Sequence, residues 1–291
     1  TKDGDGILTL GAANDFTGAT TVTGGSLQVT ATGALSDTGL LTVTAPGFVQ
    51  LFADETVGNI SGDGGIFLES VGLTLTAGDA TNQVFSGEIG QDGANAANFT
   101  KEGSGTLTLS GTSTYTGTTT VDGGVLDVTG SVATLSNVVN ATGTLRVDGA
   151  SLDNSATVTL NGNGILDVAG DLEQIAGLIS ASATSSVTLG SNTLVLNGDG
   201  DASVLETTTF AGGISGTGGL IKTGTDIQVL SGTNTHSGTT TVAGGELHLN
   251  GGAALLDTGA VAVNGGRLVL NTSETIGSLA STGSGGEVEL N

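Results

Sequence analysis

Closely spaced carboxylates are the residues of this chain that most plainly suggest chemistry. Asp199 and Asp201 lie in NGDGDAS (Asn197 to Ser203), and Asp3 and Asp5 lie in DGDG (Asp3 to Gly6). Such pairs supply hard oxygen ligands of the kind calcium takes. Asp199 and Asp201 are the candidate calcium ligands, and calcium is the one cofactor to consider. Neither stretch completes a calcium-loop pattern, so ordinary turn residues are the plain alternative.

A second pair is Asp127 and Asp167, which hold the same place in a recurring Gly-x-Leu-x-Val phrase. Glycoside hydrolysis needs two facing carboxyl groups. At other recurrences that place holds Gln28, Arg146 and His248, which reads as a solvent face. The histidines, His236 and His248, have no repeated Ser and Asp partners, and the chain has no G-x-S-x-G elbow. No catalytic residue is expected. Phe16, Tyr115 and His236 share one slot, read as a packing position at a corner, with sugar stacking as the other use.

What must position these residues is a repeat. Lys101 to Val128 reads KEGSGTLTLSGTSTYTGTTTVDGGVLDV, and the same pattern opens at Lys2 and again at Lys222. The shared slot lies fourteen residues after each lysine, and the Gly-Gly pairs (Gly24-Gly25, Gly123-Gly124, Gly244-Gly245) keep one offset. Copies run over 1–99, 100–220 and a truncated 221–291, read as one continuous body cut from a longer protein. Inside them the Gly-x-Leu-x-Val phrase recurs at steps near 20, from Gly6, Gly25, Gly47 and Gly65 to Gly245, Gly266 and Gly286. The 40-residue step from Gly65 to Gly105 counts as two units, and the 81-residue step from Gly164 to Gly245 as four. That makes about fifteen units of roughly 20 residues, one of them an extra step in copy two. Solenoids tolerate such an insertion because each coil touches only its neighbours.

The phrase alternates, as a strand with one buried face does. Leu107 and Leu109 should point inward and Thr106 and Thr108 outward. TTTV (Thr118 to Val121) is a second strand, and DGG a turn between strands. Helical periodicity is nowhere sustained; Leu172 to Ile179 is the best helix candidate. Short strands in units of roughly 20 residues describe an all-β chain wound as a parallel β-helix, a β-solenoid. A β-sandwich array would need strands organised in domains near 100 residues.

Composition narrows the partners. Acidic residues outnumber basic ones 28 to 5, for a net charge of −23. Such a surface repels nucleic acid and anionic lipid. All five cations sit at repeat-equivalent places: Lys2, Lys101 and Lys222 start the copies, and Arg146 and Arg267 each lie 45 residues after a lysine. They read as solvated charges inherited by duplication. The chain has no Cys, hence no disulfide framework. No apolar run approaches the ~20 residues of a membrane helix.

The three lysine-led stretches, with the lead-ins FAGGISGTGGLIKTG (Phe210 to Gly224) and FSGEIG (Phe85 to Gly90), resemble the autotransporter-associated β-strand repeat of type V secreted passenger domains. Copy three departs from the pattern at Gln228 and His236. The resemblance implies a right-handed parallel β-helix, displayed outside a Gram-negative cell after export through a C-terminal barrel. The function expected is a non-enzymatic structural or adhesive stalk at the cell surface. Its partners would be a host or neighbouring cell surface, glycans or matrix, or copies of itself. A self-assembling filament or surface-layer subunit is the alternative.

Overall fold

The computed structural model describes residues 1–93, 96–149, 152–198, 205–283 and 285–291. Among these residues the secondary structure is all β, with every paired strand parallel and about fourteen turns of solenoid. By contact the chain divides into two compact units: Thr1–Asn137 with Thr142–Leu145, and Val138–Ala141 with Arg146–Asn291.

The strands form where Leu, Val, Ile and Thr alternate. Thr106–Leu109 shows the pattern, with Leu107 and Leu109 buried and Thr106 and Thr108 half-exposed. The same alternation marks Leu40–Val43, Phe48–Leu51 and Ile165–Val168. Each inward Leu or Val loses nearly all its contact with water, which is worth about 1.5–3 kcal/mol per side chain. A single residue of slip would turn that set outward, so burial fixes the register. In the first ladder Leu8, Leu27, Val49 and Ile66 lie in one column.

The first unit has three main sheets, beside a short pair of Thr112–Ser113 with Ser131–Val132. Sheet one stacks Ile7–Leu10, Ser26–Val29, Phe48–Leu51, Gly65–Leu68 and Ile89–Gln91. Sheet two begins with Thr20–Val22, Leu40–Val43 and Asn59–Ser61. It continues through the Gly62–Phe85 bridge to Gln83–Phe85, Thr106–Leu109 and the end of Thr118–Val128. Sheet three stacks Glu55–Val57, Thr74–Ala77, Asn98–Lys101 and the start of Thr118–Val128.

The repeat copies do not stack like on like. In copy one the strand after the lysine, Ile7–Leu10, is in sheet one; in copy two its equivalent, Thr106–Leu109, is in sheet two. The 40-residue step from Gly65 to Gly105 is therefore one turn and two thirds rather than two whole units, with Ile89–Gln91 completing the whole turn. A 28-residue repeat is longer than one coil, so its ends overlap. Lys101 pairs with Val121, and Thr106–Leu109 pairs with the stretch ending at Val128. The repeat is one full coil and the two strands that close on it.

The second unit carries the ladder Leu172–Ile175, Thr193–Leu196, Gly219–Lys222, Thr240–Val242, Ala260–Val263 and Ser278–Ala280. A second ladder runs Thr207–Phe210, Ile227–Leu230, Glu246–Leu249, Arg267–Leu270 and Glu287–Leu290. Copy three closes on itself as the others do: Lys222 pairs with Val242, and Ile227–Leu230 with Glu246–Leu249.

One local reading holds and one is corrected. Leu172 to Ile179 is no helix but two strands, Leu172–Ile175 and Gly177–Ile179, since inward Glu173 and Ile175 follow the two-residue period. Asp122-Gly123-Gly124 does not interrupt its strand; Thr118–Val128 runs through it, held by pairing on both sides. The bend falls at Gly124, whose φ is +61° and where an added Cβ would lie 2.3 Å from the Gly105 carbonyl oxygen. Only glycine fits both demands.

Candidate functional site

The lysines are not solvated, contrary to the sequence reading. Lys101 and Lys222 are 0% and 1% exposed. Lys101 ends the inward-facing pattern of Asn98–Lys101, so its side chain enters the coil. Its ammonium donates to the carbonyls of Glu102, Gly103 (3.3 Å) and Gly123 (3.2 Å). Lys2 does the same to Asp3 (3.2 Å), Gly4 (2.7 Å) and Gly24 (2.8 Å). Lys222 donates to the Thr223 carbonyl. In the first two copies each lysine therefore clamps its own corner to the Gly-Gly corner one coil later. Burial pulls the Lys101 ammonium below its ordinary range, against the opposing pull of Asp79 and Glu102. Burial lowers Lys222 to about 8, against Asp226.

A second internal device went unread in the sequence. Glu55 is 2% exposed, and its carboxylate accepts from the backbone N–H of Ala34 (3.3 Å) and Leu35 (2.8 Å), one coil earlier. Asn14 reaches the same loop from the other side, donating to the Ala34 carbonyl at 2.9 Å. The second unit repeats the arrangement. Glu274 accepts from Ala254 (3.2 Å) and Leu255 (2.8 Å), and Asn234 donates to the Ala254 carbonyl at 2.6 Å. Glu173, also buried, accepts from Leu152 N–H at 3.1 Å. Desolvation raises the Glu55 pKa, against the lowering effect of its bonds to Leu35 and Ala34. The readable signal was a Glu at an inward position some 20 residues after an Ala-Leu or Ser-Leu pair.

The shared slot is a packing position in two copies of three. Tyr115 is fully buried, its hydroxyl 2.8 Å from Thr119 Oγ1 and its ring 6.2 Å from that of Phe99. His236 is 2% exposed, with Nε2 2.9 Å from Thr240 Oγ1. Phe16 is 40% exposed.

The carboxylates considered for glycoside chemistry are engaged locally. Asp127 accepts from Thr108 Oγ1 at 3.3 Å, and Asp167 lies 3.8 Å from Arg146 Nε. His248 sits in a surface cluster with Glu246 at 2.7 Å, and Glu246 also meets Arg267 at 3.0 Å. The bond from His248, and then Arg267, holds the Glu246 carboxyl below its ordinary range. Asp199 and Asp201, the calcium candidates, lie outside the described residues. Among the described residues no three His, Cys, Asp or Glu side chains gather as a metal would require. No helix among them is long and apolar enough to cross a membrane.

The lysine-clamped stretches coincide with a known repeat. Residues 1–29, 99–128 and 220–249 match the passenger-associated-transport-repeat family. The chain carries three matches to that repeat. A similar protein is the adhesin BmaC autotransporter of Brucella suis biovar 1 (strain 1330), 31% identical over 264 residues. The alignment covers 83% of this chain and 7% of that relative's length. No solved structure matches the chain. This passenger-repeat chain is thus a β-helical segment of the autotransporter passenger type. Each family match runs from the clamping lysine, or a residue or two before it, to the end of the strand that closes the coil.

Proposed function

We propose that the segment is a non-enzymatic adhesive scaffold of an autotransporter passenger, carried across the outer membrane and displayed at the surface of a Gram-negative cell. One observation carries the reading. The polar residues that recur with the repeat (Lys2, Lys101 and Lys222; Asn14 and Asn234; Glu55 and Glu274) all bind backbone of their own or an adjacent coil. Repetition of that kind serves stacking rather than a reacting centre, and in a solenoid it leaves the outer faces free to vary. The likeness to an autotransporter adhesin supports the adhesive half. Partners would be a host or neighbouring cell surface.

The test is direct. Beads coated with the 291-residue chain are expected to adhere to cultured cells above albumin-coated beads. Equal adherence would remove the adhesive role.

A further inference from the structure

The outer face of sheet one differs from the rest of the chain. Half of the Phe and Tyr rings are core: Phe85, Phe99, Tyr115 and Phe210 are fully buried, while Phe16 and Phe52 are exposed. Phe48 and Phe67 instead occupy outward positions of adjacent strands, Phe48–Leu51 and Gly65–Leu68, and are partly exposed. Their centroids are 6.2 Å apart at 72°, edge to face.

Phe67 lies on a floor of glycine. A Cβ added at Gly65 would fall 2.5 Å from its Cε2, and one added at Gly90 would fall 2.7 Å from its Cδ1. Gly90 is the register partner of Phe67 on the next coil, and Gly65 precedes it by two on its own strand. The ring therefore fills the space that side chains at 65 and 90 would take, and it stays partly exposed. Beside the rings runs an ordered row of polar groups. Gln50 Nε2 donates to Glu69 at 2.7 Å, Gln28 Nε2 donates to Gln50 Oε1 at 3.1 Å, and Thr9 Oγ1 donates to Gln28 at 3.4 Å.

We propose that this face binds a neutral glycan chain, with Phe67 and Phe48 as the platform for sugar C–H faces and Gln28, Gln50 and Glu69 as the hydrogen-bonding flank. The proposal deepens the adhesive reading and rests on it. The negative face of an aromatic ring attracts the weakly positive C–H edge of a sugar. Amides and a carboxylate already held in place bond its hydroxyls with little further ordering cost. Charge selects the class of glycan. Glu69 and Glu88 border the rings, Lys2 and Lys101 are turned into the coils, and the chain carries −23, so sulfated or sialylated chains are repelled. Two rings amid polar groups are too little apolar surface for the dry centre of a protein interface.

Cellohexaose and hexa-N-acetylchitohexaose are the probes, titrated onto the whole chain by calorimetry, with ligand contacts read by saturation-transfer NMR. Saturable binding of at least one is expected, with a heparin hexasaccharide inert. Phe67→Ala and Phe48→Ala should each weaken it at least tenfold at an unchanged melting temperature. As a check independent of any variant, the bound probe should also compete away bead adherence. No binding of either neutral probe, or equal binding by wild type and Phe67→Ala, would overturn the proposal. Adherence that survives periodate but not protease treatment of the cells would also overturn it, in favour of a protein partner. In those cases the adhesive reading stands, because wild-type adherence is measured separately.

Discussion

The Nε2 of His236 lies 2.9 Å from the hydroxyl of Thr240, four residues on and inside the coil. Tyr115 and Thr119 make the same contact at 2.8 Å. The imidazole thus stands in for the phenol in a shared internal hydrogen bond. The substitution has a pH signature. Burial lowers the His236 pKa below its ordinary 6.5, so the folded state holds fewer protons than the unfolded state. The contribution is intact above the unfolded pKa and is lost as pH falls below it. His236→Tyr should therefore reduce the fall in melting temperature between pH 7 and pH 5. Identical pH slopes for the two proteins would contradict the assignment.

Glu55 gives a second test. Its carboxylate serves the N–H groups of Ala34 and Leu35 with 2% of the residue exposed. Glu55→Ala leaves those donors buried without acceptors, at a cost of about 1–3 kcal/mol each. Glu55→Gln keeps one acceptor oxygen and should lie between the two in urea unfolding. A Glu55→Ala protein as stable as wild type would mean the loop is held by other contacts.

The lysine clamps predict opposite trends in alkali and by truncation. Lys101→Met keeps the stem but strips the donors from the Gly103 and Gly123 carbonyls, which should cost about 1–3 kcal/mol. Lys222 is lowered to about 8 by burial, from 10.5. A lysine whose pKa falls on folding binds fewer protons in the folded state, so its contribution rises with pH between those values. Wild type should gain in melting temperature on Lys222→Met as pH climbs from 7 to 10. A constant gap would show that the ammonium is not desolvated.

Gly124 sets the bend that lets a strand pass from sheet three to sheet two. Gly124→Ala would need φ +61° with its Cβ 2.3 Å from the Gly105 oxygen. The strain of a left-handed residue is about 1–3 kcal/mol before the clash is counted. Loss of cooperative unfolding by circular dichroism is the expected outcome. A melting curve like that of Ser104→Ala, a change on the exposed corner nearby, would contradict it.

The inward–outward alternation was legible because strands repeat every two residues, and Leu107, Leu109 and their neighbours kept that period. The coil number came out close because the Gly-x-Leu-x-Val phrase recurs at steps near the length of one coil. Three things were hidden. A lysine reads as a surface charge until its position in the alternation is counted; Lys101 falls on the inward parity of Phe99, and only backbone carbonyls at the corner make that tolerable. The change of sheet between Ile7–Leu10 and Thr106–Leu109 was hidden because sequence spacing counts residues, whereas a turn along sheet one varies from 17 to 23 residues. The platform of Phe67 on Gly65 and Gly90 needed the register itself, since those glycines lie in different coils.

Disulfide trapping tests the register on which this account depends. The chain has no cysteine, so introduced pairs report without interference. Val84 and Thr108 are register partners on adjacent strands, and parallel neighbours lie about 4.8 Å apart, within reach of a disulfide. Glu88 and Thr106 hold like places after Gly87 and Gly105, but Glu88 leads into Ile89–Gln91 of sheet one whereas Thr106 lies in sheet two. We expect V84C/T108C to cross-link under mild oxidation and E88C/T106C to stay reduced. Cross-linking of E88C/T106C, with V84C/T108C reduced, would mean that the phrases stack like on like and that the offset coil is wrong.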